Sequence, residues 1–154
     1  MERTLLLIKP DAIQRGLVGK VISYFENKGL TLVGNKMIQL DDEKLAEHYA
    51  HIADKPFFPG IANFMKSTPV IAQCWEGCEA VNIVRTICGV TNSREAAPGT
   101  VRGDLAMSIQ SNLVHSSDGP ETAAEEVPRF FAEDELFKYD KKNYEYIYAG
   151  DERS

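Results

Sequence analysis

The chain has 154 residues and a formal net charge of −6, with 44% hydrophobic and 26% charged residues. This size and composition predict one globular domain with its own core, and they exclude a disordered chain. The excess of acidic groups disfavours a protein that binds nucleic acid or anionic membranes through a broad basic surface.

The first half of the chain predicts two strands and the helices that follow them. The predicted order is a strand over 4–8, a helix over 11–29, a strand over 30–40, a helix over 41–52 and a short helical segment over 61–66. Residues 4–8 form a short apolar run, which is typical of a buried strand. Asp11 and Gln14 have the spacing of a capping box, and Gly34 allows a bend or bulge within the second strand.

The second half predicts two further strands and a long loop. The predicted order is a strand over 69–75, a helix over 80–88, an irregular loop over 90–104, a strand over 108–114 and a helix over 118–127. Loops of this length in compact domains are usually functional. Pro128 is expected to end or kink the last helix, and residues 149–154 are expected to form a mobile polar tail.

This order of elements predicts the fold class. Strand, helix, strand, helices, strand, helix and strand is the βαββαβ plan of a ferredoxin-like α+β sandwich. We therefore predict a single domain over 1–154, in which helices cover one face of a four-stranded antiparallel sheet. A doubly wound parallel sheet is the alternative, but only four strands are predicted and the first turn is not rich in glycine.

The sequence also indicates a cellular compartment. Its apolar runs are shorter than the roughly 18 residues that a membrane helix needs. The run 4–8 is too short for the core of a signal peptide. Cys74, Cys78 and Cys88 are odd in number and lack the spacing of a zinc site, which favours reduced thiols. We therefore expect a cytoplasmic protein.

His115 lies where the fourth predicted strand meets the last predicted helix. Two apolar residues precede it, and Asp118 and Glu121 follow with the spacing of a capping box. The free N–H groups and the dipole at a helix N-terminus favour an anion, so the ring is expected to face an anion-binding cleft. A histidine that only satisfies the helix cap is the alternative, and this motif alone would favour it.

Three cations lie at element ends or in loops, where a cleft could gather them. They are Lys9 after the first strand, Arg85 on the helix 80–88 and Arg102 in the long loop. Each alone fits a solvated surface charge, but arginine offers paired donors that suit phosphate oxygens. The sequence contains no Walker motif, which excludes a P-loop nucleotide site. His48 and His51, three residues apart on one helix face, fit a surface feature better than a metal site.

Several short motifs follow one another along nearly the whole chain, from Glu2 to Tyr148. They are Lys9-Pro10-Asp11 with Gln14-Arg15-Gly16, Pro56-Phe57-Phe58, Trp75-Glu76-Gly77, Thr91-Asn92, the run 98–104 and the run 112–118. Together they resemble the nucleoside diphosphate kinase family. The resemblance implies an enzyme that transfers the γ-phosphate of a nucleoside triphosphate, mainly ATP, to nucleoside diphosphates through a phosphohistidine.

The resemblance also implies roles for individual residues. The implied catalytic residues are His115 as the nucleophile, Ser117 and Glu126 as the groups that orient it, and Lys9 and Tyr49. The implied nucleotide-binding residues are Lys9, Arg85, Thr91 and Arg102 at the phosphates, Asn112 at the sugar, and Phe57 and Ile61 at the base. Stacking on an aromatic ring tolerates every base, which implies a broad range of nucleotides.

The resemblance implies partners as well. It implies Mg²⁺ carried by the nucleotide phosphates without a strong protein ligand, and a homo-oligomer, with a hexamer favoured over a tetramer. Ser116 follows the nucleophile where the family commonly has glycine or alanine, and it would be strained only at a positive φ. Two rival functions are a scaffold that has lost catalysis and a nucleic-acid-binding regulator. The presence of the implied catalytic residues disfavours the first, and the acidic charge balance disfavours the second.

Overall fold

The computed structural model describes residues 1–153 and has a four-stranded antiparallel sheet at its centre. The strands are β1 (Glu2–Ile8), β2 (Thr31–Ile38), β3 (Val70–Gly77) and β4 (Val114–Ser116). Their spatial order is β2-β3-β1-β4, and each neighbouring pair is antiparallel. The predicted ferredoxin-like α+β sandwich is confirmed.

Helices connect these strands. Those described within residues 1–153 are α1 (Pro10–Gln14), α2 (Val18–Lys28), α3 (Asp42–His48), α4 (Phe58–Lys66), α5 (Ala80–Cys88), α6 (Val101–Leu105) and α7 (Pro120–Phe130). In this described part of the chain, every helix is too short or too polar to cross a membrane.

The helices cover both faces of the sheet, so the prediction of one covered face was wrong. Leu6 and Ile8 of β1 belong to a core that includes residues of α2 and α5. Leu5 and Leu7 belong to a second core that includes residues of α3, α4 and α7. All four side chains are fully buried. A continuous apolar run, without polar alternation, is what a strand buried on both faces requires.

The predicted helix over 11–29 is two helices. α1 ends at Gln14, and α2 begins only after Gly16, which has a φ of 66°. α1 begins at Pro10, whose missing N–H would have no helical partner at that position. Asp11 is therefore inside α1, and the predicted capping box with Gln14 is wrong. Instead, the Asp11 carboxylate accepts a hydrogen bond from the distant Leu113 backbone N–H at 3.0 Å.

Three other local predictions are confirmed. The pairing of β2 with β3 shifts register between Leu32 and Gly34, as expected for a bulge. Asp41 caps α3, because its side chain accepts a hydrogen bond from the Lys44 backbone N–H at 2.7 Å. α5 has the predicted bounds and ends at Gly89, which has a φ of 83°. The end of α3 differs, since the helix ends at His48 rather than near 52.

The fourth strand lies later than predicted. β4 contains His115, which pairs with Leu7 of β1, whereas the strand was expected over 108–114. Paired residues of antiparallel strands point to the same face, so His115 lies on the face covered by α3, α4 and α7. α7 begins at Pro120 after Gly119, which makes the predicted capping box of Asp118 and Glu121 wrong.

α7 also runs further than predicted. It includes Pro128 and ends at Phe130, although proline removes one helical hydrogen bond. Val127 and Phe130 are buried in the core on this face of the sheet. Their packing explains why the last turn persists beyond the proline.

The C-terminal segment follows α7 with single 3-10 turns at Glu133–Glu135, Tyr144–Tyr146 and Gly150–Glu152. The Arg153 side chain donates hydrogen bonds to the backbone oxygens of Tyr148 and Glu145. Ser154 lies outside the described residues. The mobility of residues 149–154 and the single domain over 1–154 stay predictions.

We predict that Gly103→Ala destabilises the protein. A Cβ at Gly103 would lie 1.9 Å from the Ala97 backbone oxygen, so α6 or the preceding loop must move. We expect a loss of about 1–3 kcal/mol in the free energy of unfolding, measured by urea denaturation. Gly19→Ala is the matched control, because a Cβ there has no neighbour within 4 Å and lies on an exposed part of α2. It should stabilise by at most about 1 kcal/mol, and equal losses in both variants would contradict the argument.

Candidate active site

A cavity of about 500 Å³ opens beside His115. This volume lies within the range of roughly 300–1,000 Å³ that is typical of small-molecule sites. Eight of the residues proposed from the sequence line it, namely Lys9, Tyr49, Ile61, Arg85, Thr91, Arg102, Asn112 and His115. Glu126 and Ser117 are buried outside its lining. Phe57 is also outside the lining and 57% exposed, directly before α4.

The backbone turn before β4 places His115 at the cavity. Leu113 has a φ of 73°, a conformation that costs a bulky residue about 1–3 kcal/mol. Two hydrogen bonds hold this turn, because the Leu113 N–H donates to Asp11 and the Lys9 N–H donates to the Leu113 oxygen at 2.9 Å. The chain therefore reaches β4 in the register that points His115 towards α7.

Glu126 fixes the tautomer of His115. The Glu126 Oε2 atom lies 2.9 Å from Nε2 of His115, and the carboxyl side chain is only 4% exposed. Burial acts to raise the pKa of Glu126, but the hydrogen bond and charge of His115 and the nearby Ser117 hydroxyl outweigh it and lower the pKa. An ionised carboxylate can only accept, so Nε2 carries the proton and Nδ1 keeps its lone pair.

Lys9 brings a positive charge into the cavity. Its Nζ atom donates to the Gln110 backbone oxygen at 2.6 Å and to Oδ1 of Asn112 at 2.9 Å. The ammonium also lies over the Phe64 ring, 5.2 Å from the ring centre. Burial lowers the pKa of Lys9 to about 8, with Asp11 acting to raise it. Lys9 is therefore charged at neutral pH and can lose its proton under mildly alkaline conditions.

Arg102 is held in place by the backbone around the cavity. Its guanidinium donates to the backbone oxygens of Asn112 at 3.2 Å, Gly89 at 2.8 Å and Val114 at 2.6 Å. Burial lowers the pKa of Arg102 from its usual value, but arginine stays charged in proteins. A guanidinium has five N–H groups, so these contacts leave further donors for a ligand in the cavity.

Arg85 pairs with a carboxylate at the mouth of the cavity. Its Nη1 atom lies 2.7 Å from Oδ1 of Asp118, and both side chains are largely exposed. Exposed ion pairs contribute little to stability, so Arg85 can exchange Asp118 for a ligand anion. Asp118 was expected to cap the last helix, and the structure gives it this different role.

Asn112 and Thr91 meet at the floor of the cavity. The Asn112 amide donates to the backbone oxygens of Thr91 at 3.1 Å and Ile109 at 2.9 Å. Because Lys9 donates to the same amide, Asn112 connects a buried cation to the long loop. Tyr49 also lines the cavity. Burial, with the charge of Glu126, raises the pKa of its phenol to about 12.

His48 is the residue that sequence reasoning placed wrongly. It was expected on the surface with His51, but it is 6% exposed and its ring centre lies 4.6 Å from that of His115. His51 is exposed. The three-residue spacing from the buried Leu45 could have revealed this, because it places His48 on the inner face of α3.

His48, His115 and Glu126 have ligand atoms within 4.8 Å of one another, as a metal site requires. Two imidazoles do not suit Mg²⁺, which prefers oxygen ligands. A guanidinium nitrogen of Arg129 lies 3.2 Å from Nδ1 of His48, and this positive charge opposes any divalent cation there. We therefore treat the three residues as a hydrogen-bonded cluster around His115.

Ser116 is not strained. Within residues 1–153, the non-glycine residues with a positive φ are Glu79 and Leu113. Ser116 pairs with Leu6, so its side chain lies on the opposite face from His115. The core on that face contains Cys88. Burial raises the pKa of the Cys88 thiol to about 11, although Arg102 and the Ser116 hydroxyl act to lower it.

The cavity thus combines an imidazole that can act as a nucleophile with cations that can bind a polyanion. The lone pair on Nδ1 of His115 is available, because Nε2 is used by Glu126. Lys9, Arg85 and Arg102 can neutralise several phosphate oxygens at once. Such a site can hold a phosphorylated ligand while the imidazole attacks phosphorus.

Comparison with known proteins points to the same chemistry. Residues 2–136 match the sequence model of the family described as nucleoside diphosphate kinase. A protein of that name from Parabacteroides distasonis is 55% identical over 152 residues, which cover 99% of each chain.

Solved structures of similar proteins share the fold. A halophilic nucleoside diphosphate kinase from Halobacterium salinarum, in complex with CDP, has a TM-score of 0.92 and 43% identity and covers 96% of this chain and 98% of that chain. A nucleoside diphosphate kinase family protein from Babesia bovis has a TM-score of 0.93 and 39% identity, with 96% and 100% covered.

Proposed function

Because the chain belongs to the nucleoside diphosphate kinase family and is a phosphotransferase of that class, we propose that His115 carries the phosphoryl group between nucleotides. The observation that carries this proposal is the hydrogen bond between Nε2 of His115 and Glu126, at 2.9 Å. It leaves Nδ1 as the free nucleophile beside the cations that line the cavity.

The first half-reaction consumes a nucleoside triphosphate, mainly ATP. Nδ1 of His115 attacks the γ-phosphorus in line, and the bond to the β,γ-bridging oxygen breaks. The nucleoside diphosphate leaves with that oxygen, and Nδ1 holds the phosphoryl group. The positive charge that develops on the ring is balanced by Glu126, because the proton on Nε2 stays in its hydrogen bond.

The second half-reaction reverses these steps with another nucleoside diphosphate. Its terminal oxygen attacks the phosphohistidine, and Nδ1 leaves as a neutral nitrogen. One site can serve both nucleotides in turn because they differ only by the transferred group. This gives a ping-pong mechanism.

The cations neutralise the phosphates during transfer. In this proposal Lys9 contacts the γ-phosphate, Arg85 and Thr91 contact the β-phosphate, and Arg102 reaches across both. The desolvated charges of Lys9 and Arg102 support these roles, because charges act more strongly in a site that excludes water.

Less specific contacts hold the nucleoside. Asn112 binds the sugar hydroxyl, and Phe57 and Ile61 flank the base. The exposed ring of Phe57 supports this role, since a free aromatic face can stack on any base. Broad base specificity follows, because these apolar side chains do not read the polar edge of a base.

Mg²⁺ belongs to the proposal as an ion bound to the phosphates. Among the described residues that line the cavity, Asp118 is the one carboxylate, and it is paired with Arg85. This donor set fits a metal that keeps its phosphate and water ligands rather than one held in a protein cage. When bound, the ion neutralises phosphate charge and orients the triphosphate.

The proposal includes a cytoplasmic homo-oligomer, with a hexamer favoured over a tetramer. Cys74, Cys78 and Cys88 are free thiols, which supports a reducing compartment. Val90 and Met107 are large apolar residues exposed on this single chain, and an interface between copies would cover such groups. Light scattering distinguishes the mass of six chains from that of four.

The first prediction tests the phosphohistidine. Incubation with γ-labelled ATP should place acid-labile, base-stable label on the protein, because a P–N bond is hydrolysed in acid. His115→Ala should accept no label and should not convert diphosphates to triphosphates. If this variant retains both activities, the assignment is wrong. If the wild-type protein binds nucleotide without any label or transfer, the scaffold function is favoured instead.

The second prediction concerns the base. Phe57→Ala should raise the KM for adenine, guanine, cytosine and uracil nucleotides alike, by about fivefold to a hundredfold for the loss of one stacking contact. Steady-state kinetics with each diphosphate acceptor measures this. Phe57→Tyr keeps the ring and should preserve the KM values. A loss confined to purines or to pyrimidines would contradict the stacking role.

The third prediction uses the pKa of Lys9, which burial lowers to about 8. A bound phosphate stabilises the charged ammonium, so binding above this pH requires uptake of a proton. The affinity for a non-hydrolysable ATP analogue, which keeps the γ-phosphate that Lys9 contacts, should therefore decrease above pH 8, by up to about tenfold per pH unit. Isothermal titration calorimetry at pH 7, 8 and 9, in buffers of different ionisation enthalpy, measures the affinity and the number of protons taken up on binding. Lys9→Met should bind the nucleotide more weakly at pH 7, and its affinity should depend less on pH. If the affinities of the wild-type protein and Lys9→Met decrease equally with pH, Lys9 does not have the proposed role.

A further inference from the structure

His48 contacts the proposed nucleophile and lies outside the lining of the cavity. It is the last residue of α3, and only 1% of its side chain is exposed. Its ring meets the rings of Tyr49, His115 and Phe130 edge to face, with centre-to-centre distances of 4.8, 4.6 and 5.1 Å. These contacts restrict the rotation of the His115 ring, because a closely packed interior leaves little free space.

Arg129 determines which nitrogen of His48 carries the proton. Nη1 of Arg129 lies 3.2 Å from Nδ1 of His48. Arginine can only donate, so Nδ1 must accept and Nε2 must carry the proton. Burial, with the nearby charge of His115, lowers the pKa of His48 to about 3, although Glu126 acts to raise it. His48 is therefore neutral in the physiological range, and this single tautomer applies.

This tautomer has a consequence for Glu126. Nδ1 of His48 lies 3.4 Å from Oε2 of Glu126, the atom that also contacts His115. If Nδ1 of His48 carried a proton, it would compete with His115 for that oxygen. Since Nδ1 accepts from Arg129 instead, it has no proton to give, and Oε2 stays available to Nε2 of His115.

The arrangement leaves one buried polar group of His48 unpaired. In the described part of the chain, Nε2 of His48 has no hydrogen-bond partner. An unpaired buried donor costs about 1–3 kcal/mol, and an apolar ring of similar size would avoid this cost. The unpaired Nε2–H is therefore the cost of the tautomer that Arg129 imposes on His48.

We propose that Arg129 is a positioning residue that, through the tautomer of His48, reserves the Glu126 carboxylate for His115 and so keeps Nδ1 of His115 directed at the phosphates. The proposal rests on the proposed function, because it assigns Arg129 a part in phosphoryl transfer. Other charged groups near this cluster are Glu47, 3.7 Å from Nε of Arg129, and His51, which lies further along the chain from α3. Neither contacts His115.

Nitrogen NMR of the unliganded protein tests the tautomer directly. At neutral pH, the ¹⁵N shifts should show His48 protonated at Nε2 and His115 protonated at Nε2. In Arg129→Met, His48 should shift to the Nδ1-protonated form, and the proton of His115 should become divided between its two nitrogens. Arg129→Lys keeps a donor and should preserve the wild-type pattern. Wild-type His48 protonated at Nδ1 would overturn the proposal.

Single-turnover phosphorylation tests the consequence for chemistry. Arg129→Met should slow label transfer from ATP to His115 by about tenfold to a hundredfold, as expected for a displaced nucleophile. Adding His48→Phe to Arg129→Met removes the competing donor and should restore the transfer rate. The affinity of both variants for ADP should stay within about twofold of the wild-type value, because uniform binding is not affected. His51→Phe is the matched control and should transfer label at the wild-type rate.

The NMR and single-turnover measurements distinguish a failure of the positioning role from a failure of the proposed function. If Arg129→Met folds with a normal melting temperature and transfers label at the wild-type rate, or if adding His48→Phe does not restore a slowed rate, the positioning role is wrong. If the wild-type protein accepts no label, the proposed function fails, whereas the NMR readout of His48 and His115 still decides the hydrogen-bond arrangement. If Arg129→Met melts early, Arg129→Leu replaces it, because leucine also lacks a hydrogen-bond donor.

Discussion

The hydrogen bond between His115 and Glu126 is the interaction on which the site depends. It joins β4 to α7, two elements that meet because β4 pairs with β1 in a register that places His115 opposite Leu7. A shift of one residue would point His115 to the other face of the sheet and replace it with Ser116. Strand register therefore decides whether the His115 imidazole, the proposed nucleophile, lies at the cavity.

The site places charged groups in a protein interior, and the buried ones at the cavity each have at least one hydrogen-bond partner. Lys9 and Arg102 are buried cations that donate to backbone and amide oxygens, and Glu126 is a buried carboxylate that accepts from His115. Hydrogen bonds of this kind offset much of the loss of hydration. The cavity itself keeps an excess of positive charge, with Asp118 balancing only Arg85, so a phosphate chain supplies the missing negative charge.

Neighbouring residues in the sequence predicted a helix boundary where that boundary is formed by a capping side chain or a glycine. Asp41 caps α3 and Gly89 ends α5, and both needed only neighbouring residues to be recognised. The position of β4 could not be predicted in this way, because Leu113 is held in an unusual conformation by Asp11, about a hundred residues earlier in the chain. The burial of His48 could have been predicted from its spacing to Leu45, but its contacts with His115 in β4 and Phe130 in α7 could not. The family resemblance identified the site residues that the cavity brings together, whereas local patterns alone would have left most of them as surface charges.

The position of the phosphate on His115 tests the central claim most directly. The wild-type protein, labelled with ¹⁵N in its histidines, is phosphorylated with ATP, and phosphorus–nitrogen coupling identifies the nitrogen that is bonded to phosphorus. Because Glu126 holds the proton on Nε2, the account predicts a phosphoryl group on Nδ1 alone. A phosphoryl group on Nε2 would contradict it, since that nitrogen faces the carboxylate and not the cations of the cavity.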